Sequence, residues 1–418
     1  MWILYFFGIK IYEALIHGAA FFHPKAKIWV EGRKDWRTTI QSTLPTKNTT
    51  SKTQRRIWVH CASLGEFEQG RPLLQEFRKE YPESLIILTF FSPSGYEIRK
   101  NTSLADLVFY LPLDGPKRSV DFINLIQPDL VFFIKYEFWY FYGKELAKKK
   151  IPFYCVSAIF RPGQIFFRPW GEFFRKILLR YTHLFVQDQQ SLDILYRNRV
   201  ARVTVSGDTR FDTVYDTIAK NVNLPEIKQF CGSSKIMVCG STWPADNALL
   251  VPLINSGIEG MKFIIAPHEI NAHQLAQLKG DLQKKSSYYS EWIKDMSMPV
   301  DVLIIDNVGM LSQLYSFGDF AYIGGGFGAG IHNILEASGF GLPVFFGPKH
   351  QKFLEAKELI ALNAAFSVNT KEELDRILRS IMNQPSMIQK ISETSKQYLN
   401  SRKGATNIVM NYLKINHN

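Results

Sequence analysis

Three polar residues follow a glycine-rich turn in a pattern that suits nucleotide binding. The apolar run FAYI ends at Ile323, GGGFGAG follows it, and His332, Asn333 and Glu336 come next. Glycine lets a turn adopt unusual backbone angles and lets a ligand approach the backbone, and a turn between a strand and a helix presents N–H groups to a phosphate. If IHNILEASG is a helix, His332 and Glu336 share one face, where the carboxylate can accept hydrogen bonds from ribose hydroxyls.

The letters GGGFGA also satisfy the dinucleotide-binding pattern, but that match fails. The pattern requires an acid about 20 residues further on, at the end of the next strand. Here that region reads PVFFGPKH, and no acid occurs before Glu355. The alternative without a ligand is a glycine turn that only packs a strand against a helix.

Other residues that could take part in catalysis or binding occur where apolar runs end. They are Glu66 after IWVHCASLG, Glu137 after LVFFIKY, Arg210 after VTVSGDT, Ser241 and Thr242 after IMVCG, Pro267 and His268 after FIIA, and Gly309 after LIIDN. In parallel α/β sheets, ligands bind beyond the carboxyl ends of the strands. Simpler readings remain open: Glu66 as an exposed loop acid, Glu137 as an acid at a helix N-terminus, and His268 as a polar strand end.

These positions are set by a regular alternation of short apolar runs and helix-forming segments. IWVHCA (57–62) predicts the first strand, and helices are predicted over 65–79, 116–126 and 138–149. This βαβ order predicts an α/β fold with parallel sheets covered on both faces. Residues 160–180, rich in aromatics and arginine, interrupt the rhythm, and a second set of strands begins after Asn221.

The predicted architecture is two doubly wound Rossmann-like domains that face a cleft, with an N-terminal hydrophobic anchor helix. The predicted segments are an anchor helix at 1–22, a basic linker at 23–56, a first Rossmann-like domain at 57–220, a second at 221–395, and a C-terminal helical segment at 396–418. A chain of 418 residues is long enough for two such domains.

Composition narrows the classes of partner. The formal net charge of +12 favours anionic partners such as lipid headgroups or nucleotides. The four cysteines lack CxxC or CxxH spacing, which argues against a zinc site or a disulfide framework and fits a reducing compartment. The lysines are dispersed without a base-reading motif, so a nucleic-acid partner is not expected. No acidic cluster has metal-ligand spacing, so we expect activity that EDTA does not affect.

The first 22 residues are strongly apolar apart from Lys10, Glu13 and His17. On a helix these three form one narrow polar stripe. No basic region precedes the apolar run and no small-residue cleavage site is evident, so a secretory signal is not predicted. About 20 residues could span a bilayer, but a continuous polar stripe favours a helix lying in the membrane interface. The alternative is a hydrophobic helix packed on the first domain.

The segment that follows is basic. Residues 10–56 contain ten Lys or Arg residues and three acids. Such a flank favours the cytoplasmic side of a membrane and contact with anionic lipid. The sequence therefore predicts a membrane-associated protein.

The motifs occur in an order that resembles one family. They are HCASLGE (60–66), TFFSPSGYE (89–97), PLD (112–114), KYEFW (135–139), VSGDTRFD (205–212), GSTW (240–243) and GGGFGAGIHNILEASGFGLPVFFGP (324–348). From Trp58 to Phe366 the chain resembles the bacterial Kdo (3-deoxy-D-manno-oct-2-ulosonic acid) transferases. The resemblance implies a B-type (two-Rossmann) inverting glycosyltransferase without a cofactor. It would transfer Kdo from CMP-Kdo to a lipid A precursor at the cytoplasmic face of the inner membrane.

The resemblance also implies roles for individual residues. Glu66 matches the family's catalytic base, Glu137 its second acid, and Arg210 the basic residue that offsets transition-state charge. The implied CMP contacts are Ser241, Thr242, Pro267, His268, Val308, Gly309, Met310, Gly325, Gly326, His332, Asn333, Ile334, Leu335 and Glu336. Inverting sugar transfer needs these functions on general grounds: a base for the acceptor hydroxyl and a positive group near the leaving phosphate.

This sequence departs from the family pattern at five places. The two-acid ETE is KYE here, which leaves Glu137; the usual Lys is Arg210; Thr-His is Thr242-Trp243; Pro-Arg-His is Pro267-His268-Glu269; and Met-Gly-Glu is Val308-Gly309-Met310. These changes affect binding details more than the reaction. Two other functions stay open: a two-domain glycosyltransferase or epimerase that uses a UDP-sugar, and a non-catalytic membrane-bound nucleotide-binding protein.

Overall fold

The computed structural model describes residues 1–45, 55–219 and 222–417. Two predicted features fall partly or wholly outside these ranges: residues 46–54 of the basic linker, and the domain boundary at 220/221. The described chain divides into two compact units. The first consists of Met1–Thr213 with Lys403–Asn418, and the second of Val214–Arg402.

The first unit is built on a seven-stranded parallel sheet. Its strands are β1 (Arg56–Cys61), β2 (Leu85–Phe90), β3 (Leu107–Tyr110), β4 (Leu130–Ile134), β5 (Phe153–Ala158), β6 (His183–Val186) and β7 (Val203–Val205), in the order β3-β2-β1-β4-β5-β6-β7. Every residue of β1, β2, β4, β5 and β6 is buried. Burial on both faces explains why these strands read as unbroken apolar runs.

Helices cover both faces of this sheet. They are α1 (Trp2–Ala19), α2 (Pro24–Glu31), α3 (Trp36–Thr43), α4 (Leu64–Glu80), α5 (Pro93–Arg99), α6 (Pro116–Ile126), α7 (Tyr140–Lys148), α8 (Glu172–Leu178) and α9 (Gln189–Arg197), with a 3-10 turn at Ile165–Phe167. Successive residues of a strand point to opposite faces. Accordingly, Trp58 of β1 lies in one apolar cluster, while Ile57 and Val59 lie in the other.

A helix at the border and a second parallel sheet follow. Helix α10 (Arg210–Ala219) contains the residues where the two units divide. The strands of the second unit are β8 (Lys235–Thr242), β9 (Met261–Pro267), β10 (Ser286–Tyr288), β11 (Val302–Ile304), β12 (Phe320–Ile323), β13 (Val344–Phe346) and β14 (Ala365–Ser367). Their order is β10-β11-β9-β8-β12-β13-β14. The sheet order reverses between β8 and β12, which is where doubly wound sheets bind ligands.

The helices of the second unit, and the last helix of the chain, complete the fold. They are α11 (Pro225–Cys231), α12 (Pro244–Ser256), α13 (Ala272–Asp281), α14 (Tyr289–Trp292), α15 (Leu311–Leu314), α16 (Leu335–Gly339), α17 (Leu354–Ala361), α18 (Lys371–Met382), α19 (Pro385–Asn400) and α20 (Ala405–His417), with a 3-10 turn at Tyr315–Phe317. Helix α20 belongs to the first unit. Asp212 accepts hydrogen bonds from the backbone of Gly404 (2.6 Å) and Thr406 (2.8 Å) at its start.

The prediction of an α/β protein with two parallel sheets is confirmed, and two short strands were missed. Strands β10 and β14 lie at the outer edges of the second sheet and have only three residues each. Their sequences, SSY and AFS, do not form the apolar run by which the other strands were predicted. The arrangement of the domains around a cleft stays a prediction.

The predicted bounds need correction at both ends of the chain. Residues 24–31 and 36–43, expected to be linker, form α2 and α3, which bury Trp29 and Ile40 respectively. Near the other end, α19 runs through the predicted boundary at 395/396. The C-terminal residues that join the first unit begin at Lys403.

The predicted N-terminal helix exists, and one residue of its polar stripe, Glu13, pairs with the first unit, whereas Lys10 and His17 are exposed. Glu13 forms an ion pair with Arg118 of α6 (2.5 Å) and with Lys10 (3.0 Å). Tyr5 donates a hydrogen bond to the buried Asp114 at 2.8 Å. Glu13 and Tyr5 therefore help to fix α1 on the rest of the first unit, because Arg118 and Asp114 lie there. Among the residues that the structure describes, no helix has both the length and the hydropathy of a membrane span.

The outward side of α1 is apolar. Leu4, Leu15 and Ile11 are 67, 67 and 61% exposed. Beyond the helix end, Phe21 and Phe22 are 85 and 91% exposed. A contiguous apolar surface of this kind indicates an interaction site.

Candidate active site

Glu66 lies in the first turn of α4, directly after the end of β1. Ser63 is the N-cap of this helix: its hydroxyl accepts a hydrogen bond from Gly65 N (3.3 Å) and donates one to the Glu66 carboxylate. The predicted helix start at Gly65 and Glu66 is therefore confirmed to within one residue. Glu66 is partly exposed, so its carboxylate can both be held by Ser63 and meet a ligand.

Glu137 is buried at the end of β4 and accepts two hydrogen bonds on a single oxygen. Its Oε2 receives the indole N–H of Trp139 at 2.6 Å and Nε2 of His60 at 3.0 Å. Tyr181 donates to the backbone carbonyl of Glu137 at 2.5 Å. Helix α7 begins only at Tyr140. The alternative of an acid in the first turn of a helix is therefore wrong, because buried donors hold this carboxylate instead.

Arg210 is held by a buried acid. Asp208 accepts hydrogen bonds on Oδ2 from Arg210 Nε (2.9 Å) and Nη2 (2.7 Å), and on Oδ1 from Gln69 (3.1 Å). Burial raises the pKa of Asp208, but the charge and hydrogen bonds of Arg210 outweigh it and leave the pKa below its ordinary value. Asp208 is therefore ionised, and it fixes the guanidinium in one orientation.

The charges of these groups shift the pKa values of two neighbouring side chains of the first unit. The pKa of the Cys61 thiol is raised by burial and then by the carboxylates of Glu66 and Glu137. The pKa of Tyr136 is raised by burial and by Glu66, while Arg161 and Arg210 oppose the shift. Tyr136 is 42% exposed. The structure thus brings Glu66, Glu137 and Arg210 to one edge of the first sheet, as predicted from their strand-end positions.

Three residues at the ends of central strands have a strained backbone. Lys135, Ser157 and Ser241 have positive φ angles of 69°, 57° and 54°, which non-glycine residues rarely adopt. They follow or end β4, β5 and β8. Strained residues of this kind cluster at functional sites.

In the second unit, the rings of the predicted contacts His268 and His332 form one stack with the ring of Trp243. Trp243 follows β8, His268 follows β9, and His332 lies in the turn after β12. The ring of His268 lies 4.7 Å from that of Trp243 and 4.2 Å from that of His332, with interplanar angles of 29° and 20°. Trp243 Nε1 donates a hydrogen bond to His332 Nε2 at 2.9 Å. Sequence reasoning noted Trp243 only as a departure from the family pattern.

The predicted helix over residues 331–339 is confirmed for its second half only. Helix α16 begins at Leu335, because Asn333 Oδ1 accepts the hydrogen bond of Leu335 N (3.2 Å) and His332 N is bonded to Gly324 O (3.1 Å). His332 and Glu336 therefore do not share a helical face. Asn333 Nδ2 instead donates to Glu336 at 3.3 Å. The side chains of Ile334 and Leu335 are fully buried, so only their backbone could meet a ligand.

The glycine turn is tightly packed on its surroundings. A Cβ on Gly326 would lie 2.6 Å from Gly347 Cα, and one on Gly325 would lie 2.4 Å from Gly330 O. Asp246, in the first turn of α12, accepts hydrogen bonds from Gly325 N and Trp243 N, both at 2.9 Å. This buried acid ties the turn to α12, and no sequence pattern singled it out.

The remaining predicted donor contacts lie along the same edge of the second sheet. Thr242 and Pro267 line a groove of about 290 Å³ beside α12 and α13. Among the described residues, the buried hydroxyl of Thr242 has no hydrogen-bond partner. Val308, Gly309 and Met310 follow β11, which neighbours β9, and Val308 is 84% exposed. Within the described residues, no group of three or more His, Cys, Asp or Glu side chains is arranged to hold a metal ion.

The family model and the curated relatives that match this chain carry the same description. Residues 35–213 match the family model described as 3-deoxy-D-manno-octulosonic-acid transferase (Kdo transferase). The chain is 28% identical to the 3-deoxy-D-manno-octulosonic acid transferase of Aquifex aeolicus (strain VF5), over 82% of this chain and 90% of the relative. It is 26% identical to the enzyme of the same name from Chlamydophila psittaci, over 78% of this chain and 77% of the relative.

Solved structures agree on the fold. The UDP-GlcNAc 2-epimerase of Neisseria meningitidis bound to UDP-GlcNAc has a TM-score of 0.61 at 16% identity, over 86% of this chain and 99% of the epimerase. At this identity the likeness shows the two-sheet fold alone. The matched residues 35–213 include Glu66, Glu137 and Arg210. Residues 35–213 therefore match the Kdo transferase family, and about four fifths of the chain is similar to named Kdo transferases, which are enzymes of the glycosyltransferase class.

Proposed function

We propose that the protein transfers Kdo from CMP-Kdo to a lipid A precursor in lipopolysaccharide synthesis, with inversion and with Glu66 as the general base. One observation carries the proposal: the segment that matches the Kdo transferase family contains Glu66, Glu137 and Arg210, and these side chains lie at one edge of one sheet. The similarity to curated Kdo transferases over about four fifths of the chain supports the same donor and acceptor.

Glu66 has the surroundings that a base requires. The Ser63 hydroxyl donates to Oε2 of its carboxylate, which orients the group, and the side chain is partly exposed. In the proposed step the carboxylate takes the proton of the acceptor hydroxyl, and the hydroxyl oxygen bonds to the anomeric carbon of Kdo. The bond from that carbon to the phosphate oxygen breaks, and its electron pair leaves with CMP.

The other two residues would stabilise charge. Asp208, which holds Arg210, also accepts a hydrogen bond from Gln69 of α4 (3.1 Å), the helix that carries Glu66, so the guanidinium would lie near the reacting groups. Asp208 holds it rigidly, which lowers the reorganisation needed in the transition state. Glu137 is bonded twice on Oε2, and its other oxygen would orient the acceptor or the sugar.

The donor would bind in the second unit. Backbone N–H groups of the glycine turn at 324–330 suit the phosphate, and Asn333 and Glu336 lie at its end. The loops after β9 and β11, which hold His268 and Val308–Met310, lie beside one another because these strands are neighbours. They would contact the cytidine, largely through backbone atoms at Gly309.

The decisive experiment compares Glu66→Gln with a matched control, Glu68→Gln, which changes a carboxylate of the same helix that is paired with Arg99 (2.9 Å). Purified protein is given CMP-Kdo made in situ and a lipid A precursor, and product masses are followed in time. Glu66→Gln is expected to reduce turnover by about 10²–10⁴-fold and to leave the Kd for CMP unchanged. Glu68→Gln should retain turnover.

Three outcomes would contradict this proposal. Unchanged turnover in Glu66→Gln would remove Glu66 from the mechanism. Transfer or epimerisation with UDP-sugars, and none with CMP-Kdo, would assign the protein to the alternative enzyme class. Binding of CMP by a wild-type protein that turns over neither donor would favour a non-catalytic nucleotide-binding protein.

The protein would act at the cytoplasmic face of the inner membrane, with α1 lying in the interface. The support is the apolar outward side of α1, together with the exposed Lys25 and Lys27 on α2 nearby in the chain. Apolar side chains can enter the headgroup region, and lysines favour anionic lipid.

Vesicle flotation tests the membrane proposal. Changing Leu4 and Leu15 to Glu together should reduce binding to phosphatidylglycerol vesicles at least about 10-fold. Burying each exposed Leu side chain in the membrane would contribute about 1.5–3 kcal/mol to the free energy of binding. Leu362→Glu changes a leucine of the second unit that is 47% exposed, and it should bind as the wild type does. Equal binding of all three proteins would refute an interfacial role for α1.

A further inference from the structure

The hydrogen bond between Trp243 and His332 fixes where the imidazole proton resides. Trp243 Nε1 lies 2.9 Å from His332 Nε2. An indole nitrogen can only donate, so Nε2 must accept. An imidazole that accepts at Nε2 carries its proton on Nδ1. His332 is therefore neutral and in the Nδ1–H form.

The surroundings of His332 hold the ring in that state. Its ring stacks on His268 at 4.2 Å, and its Cδ2 lies 3.1 Å from the position that a Cβ on Gly325 would occupy. Burial, and then the charge of His268, lower the pKa of His332 to about 4. The ring is thus packed between His268 and the glycine turn.

The Nδ1–H group is left without a partner in the part of the chain that the structure describes. His332 is partly exposed, and among residues 1–45, 55–219 and 222–417 its Nδ1 has no hydrogen-bond partner. Its backbone N–H is already used by Gly324 O at 3.1 Å. A fixed donor beside a glycine turn, at the carboxyl edge of a parallel sheet, is suited to an anionic oxygen.

We propose that Trp243 is a positioning residue: it occupies Nε2 of His332 so that Nδ1–H donates a hydrogen bond to a phosphate oxygen of the nucleotide donor. This inference rests on the proposed function, in which the donor is a CMP-sugar. A ribose hydroxyl could accept the same hydrogen bond. A contact to the phosphate would be lost with cytidine, which has no phosphate, whereas a contact to the ribose would be kept. Trp243 thus makes the side chain of His332 part of the anion site without giving it a charge.

The first test measures the tautomer directly and needs no substrate. Nitrogen-15 NMR of the free wild-type protein should show His332 protonated on Nδ1 between pH 6 and 8. Trp243→Phe keeps an aromatic ring in the stack but removes the donor, so the His332 signals should move to a mixture of tautomers. Trp292→Phe is the matched control, because the buried indole N–H of Trp292 has no partner among the described residues; its His332 signals should match the wild type. A wild-type His332 protonated on Nε2 would overturn the inference.

The second test separates the phosphate from the ribose. By calorimetry, Trp243→Phe should raise the Kd for CMP about 10-fold, the cost of losing a hydrogen bond to a charged group, and leave the Kd for cytidine unchanged. His332→Phe should have the same effect, and the double variant should be no worse than either single one. Equal weakening of CMP and cytidine would place the contact on the ribose and overturn the phosphate assignment.

Failure of the proposed function would be recognised separately. A wild-type protein that transfers no Kdo but binds CMP, with the expected effect of Trp243→Phe on that binding, would overturn the reaction and leave the inference standing. A protein that transfers Kdo while Trp243→Phe binds CMP as tightly as wild type would overturn the inference alone.

Discussion

Glu137 depends on buried donors that reach it from two directions. Trp139 comes from its own loop, and His60 comes from the neighbouring strand β1. The other ring nitrogen of His60 lies 2.8 Å from the hydroxyl of Thr89, which also accepts the indole N–H of Trp58 at 2.8 Å. The carboxylate is thus held by side chains that belong to the core, and its position is as fixed as the packing around it.

The contribution of one such donor can be measured with Trp139→Phe. This change removes the 2.6 Å hydrogen bond to Glu137 and keeps a ring against Phe91. We expect kcat to fall about 10-fold, the cost of one hydrogen bond to a charged group, with little change in KM for CMP-Kdo. Steady-state kinetics check this, with Trp36→Phe as the matched control because Trp36 lies in α3 of the same unit. A kcat equal to that of the control would argue that Glu137 has no part in turnover.

At this scale the sequence identified the charged residues but not the residues that hold them. Glu66, Glu137 and Arg210 were predictable because each follows a recognisable apolar run. Their partners were not: His60 and Asp208 owe their roles to neighbouring strands and loops that only the folded chain brings together. A polar residue inside a buried run, such as His60 in RIWVHC, was the available signal.

At the scale of elements, the turn after β12 is held by direct backbone packing. A Cβ on Gly324 would lie 2.1 Å from Ser241 O, and one on Gly326 would lie 2.6 Å from Gly347 Cα. The neighbouring atoms belong to the main chain at the ends of β8 and β13, so they cannot move without shifting whole strands. Glycine is required here for close approach.

Gly326→Ala should therefore destabilise the second unit by about 1–3 kcal/mol or more, as overpacking does, and weaken CMP binding. Gly328→Ala is the matched control in the same turn, because its Cβ would meet only Gly325 O at 3.6 Å, an ordinary contact. Denaturant unfolding and CMP titration of both variants test this. Equal stability of the two variants would mean that the turn can relax.

The elements themselves were largely predictable, and the errors have local causes. Long apolar runs gave the central strands, and Pro116–Ile126 was found with its observed bounds. The start of α16 was misplaced because the side-chain oxygen of Asn333 caps it from within the predicted helix. The edge strands β10 and β14 were missed because SSY and AFS lack the apolar run that marks the equally short strands β11 (VLI) and β13 (VFF).

For the molecule as a whole, Asp114 joins α1 to the body of the first unit. It is fully buried and accepts hydrogen bonds from Tyr5 Oη (2.8 Å), Phe141 N (2.9 Å) and Tyr142 N (3.0 Å). Burial raises its pKa from 3.8 to about 6, although these hydrogen bonds oppose the shift. The docking of the N-terminal helix is therefore linked to pH.

The sign of this linkage follows from which state binds the proton. Between pH 4 and 6 the folded carboxyl group is protonated while the unfolded one is not, so the free energy of unfolding falls as pH rises through this window. The shift from 3.8 to about 6 corresponds to about 3 kcal/mol. Asp114→Asn should remove this component, so the difference in unfolding free energy between wild type and variant should change over pH 4–6 and be flat above pH 7. A pH-independent difference would show that Asp114 titrates normally.

Contacts between residues far apart in the sequence were the least predictable feature of the structure. Net charge and two sets of strands indicated two domains and anionic partners. The return of the chain to the first unit could not be foreseen, because Asp212 contacts residues 192 and 194 positions further along. No local pattern encodes a contact at that separation.

That return has a consequence for how the protein is made. A ribosome must synthesise all of Val214–Arg402 before α20 exists, so the unit that holds Glu66 stays incomplete while the later unit is already emerging from the exit tunnel. Until then the carboxylate of Asp212 lacks its partners at the start of α20, and the apolar surface that Val409 and Leu413 will cover is exposed. Deleting α20 would therefore remove core packing from the unit that holds Glu66, although α20 follows the second unit in the sequence.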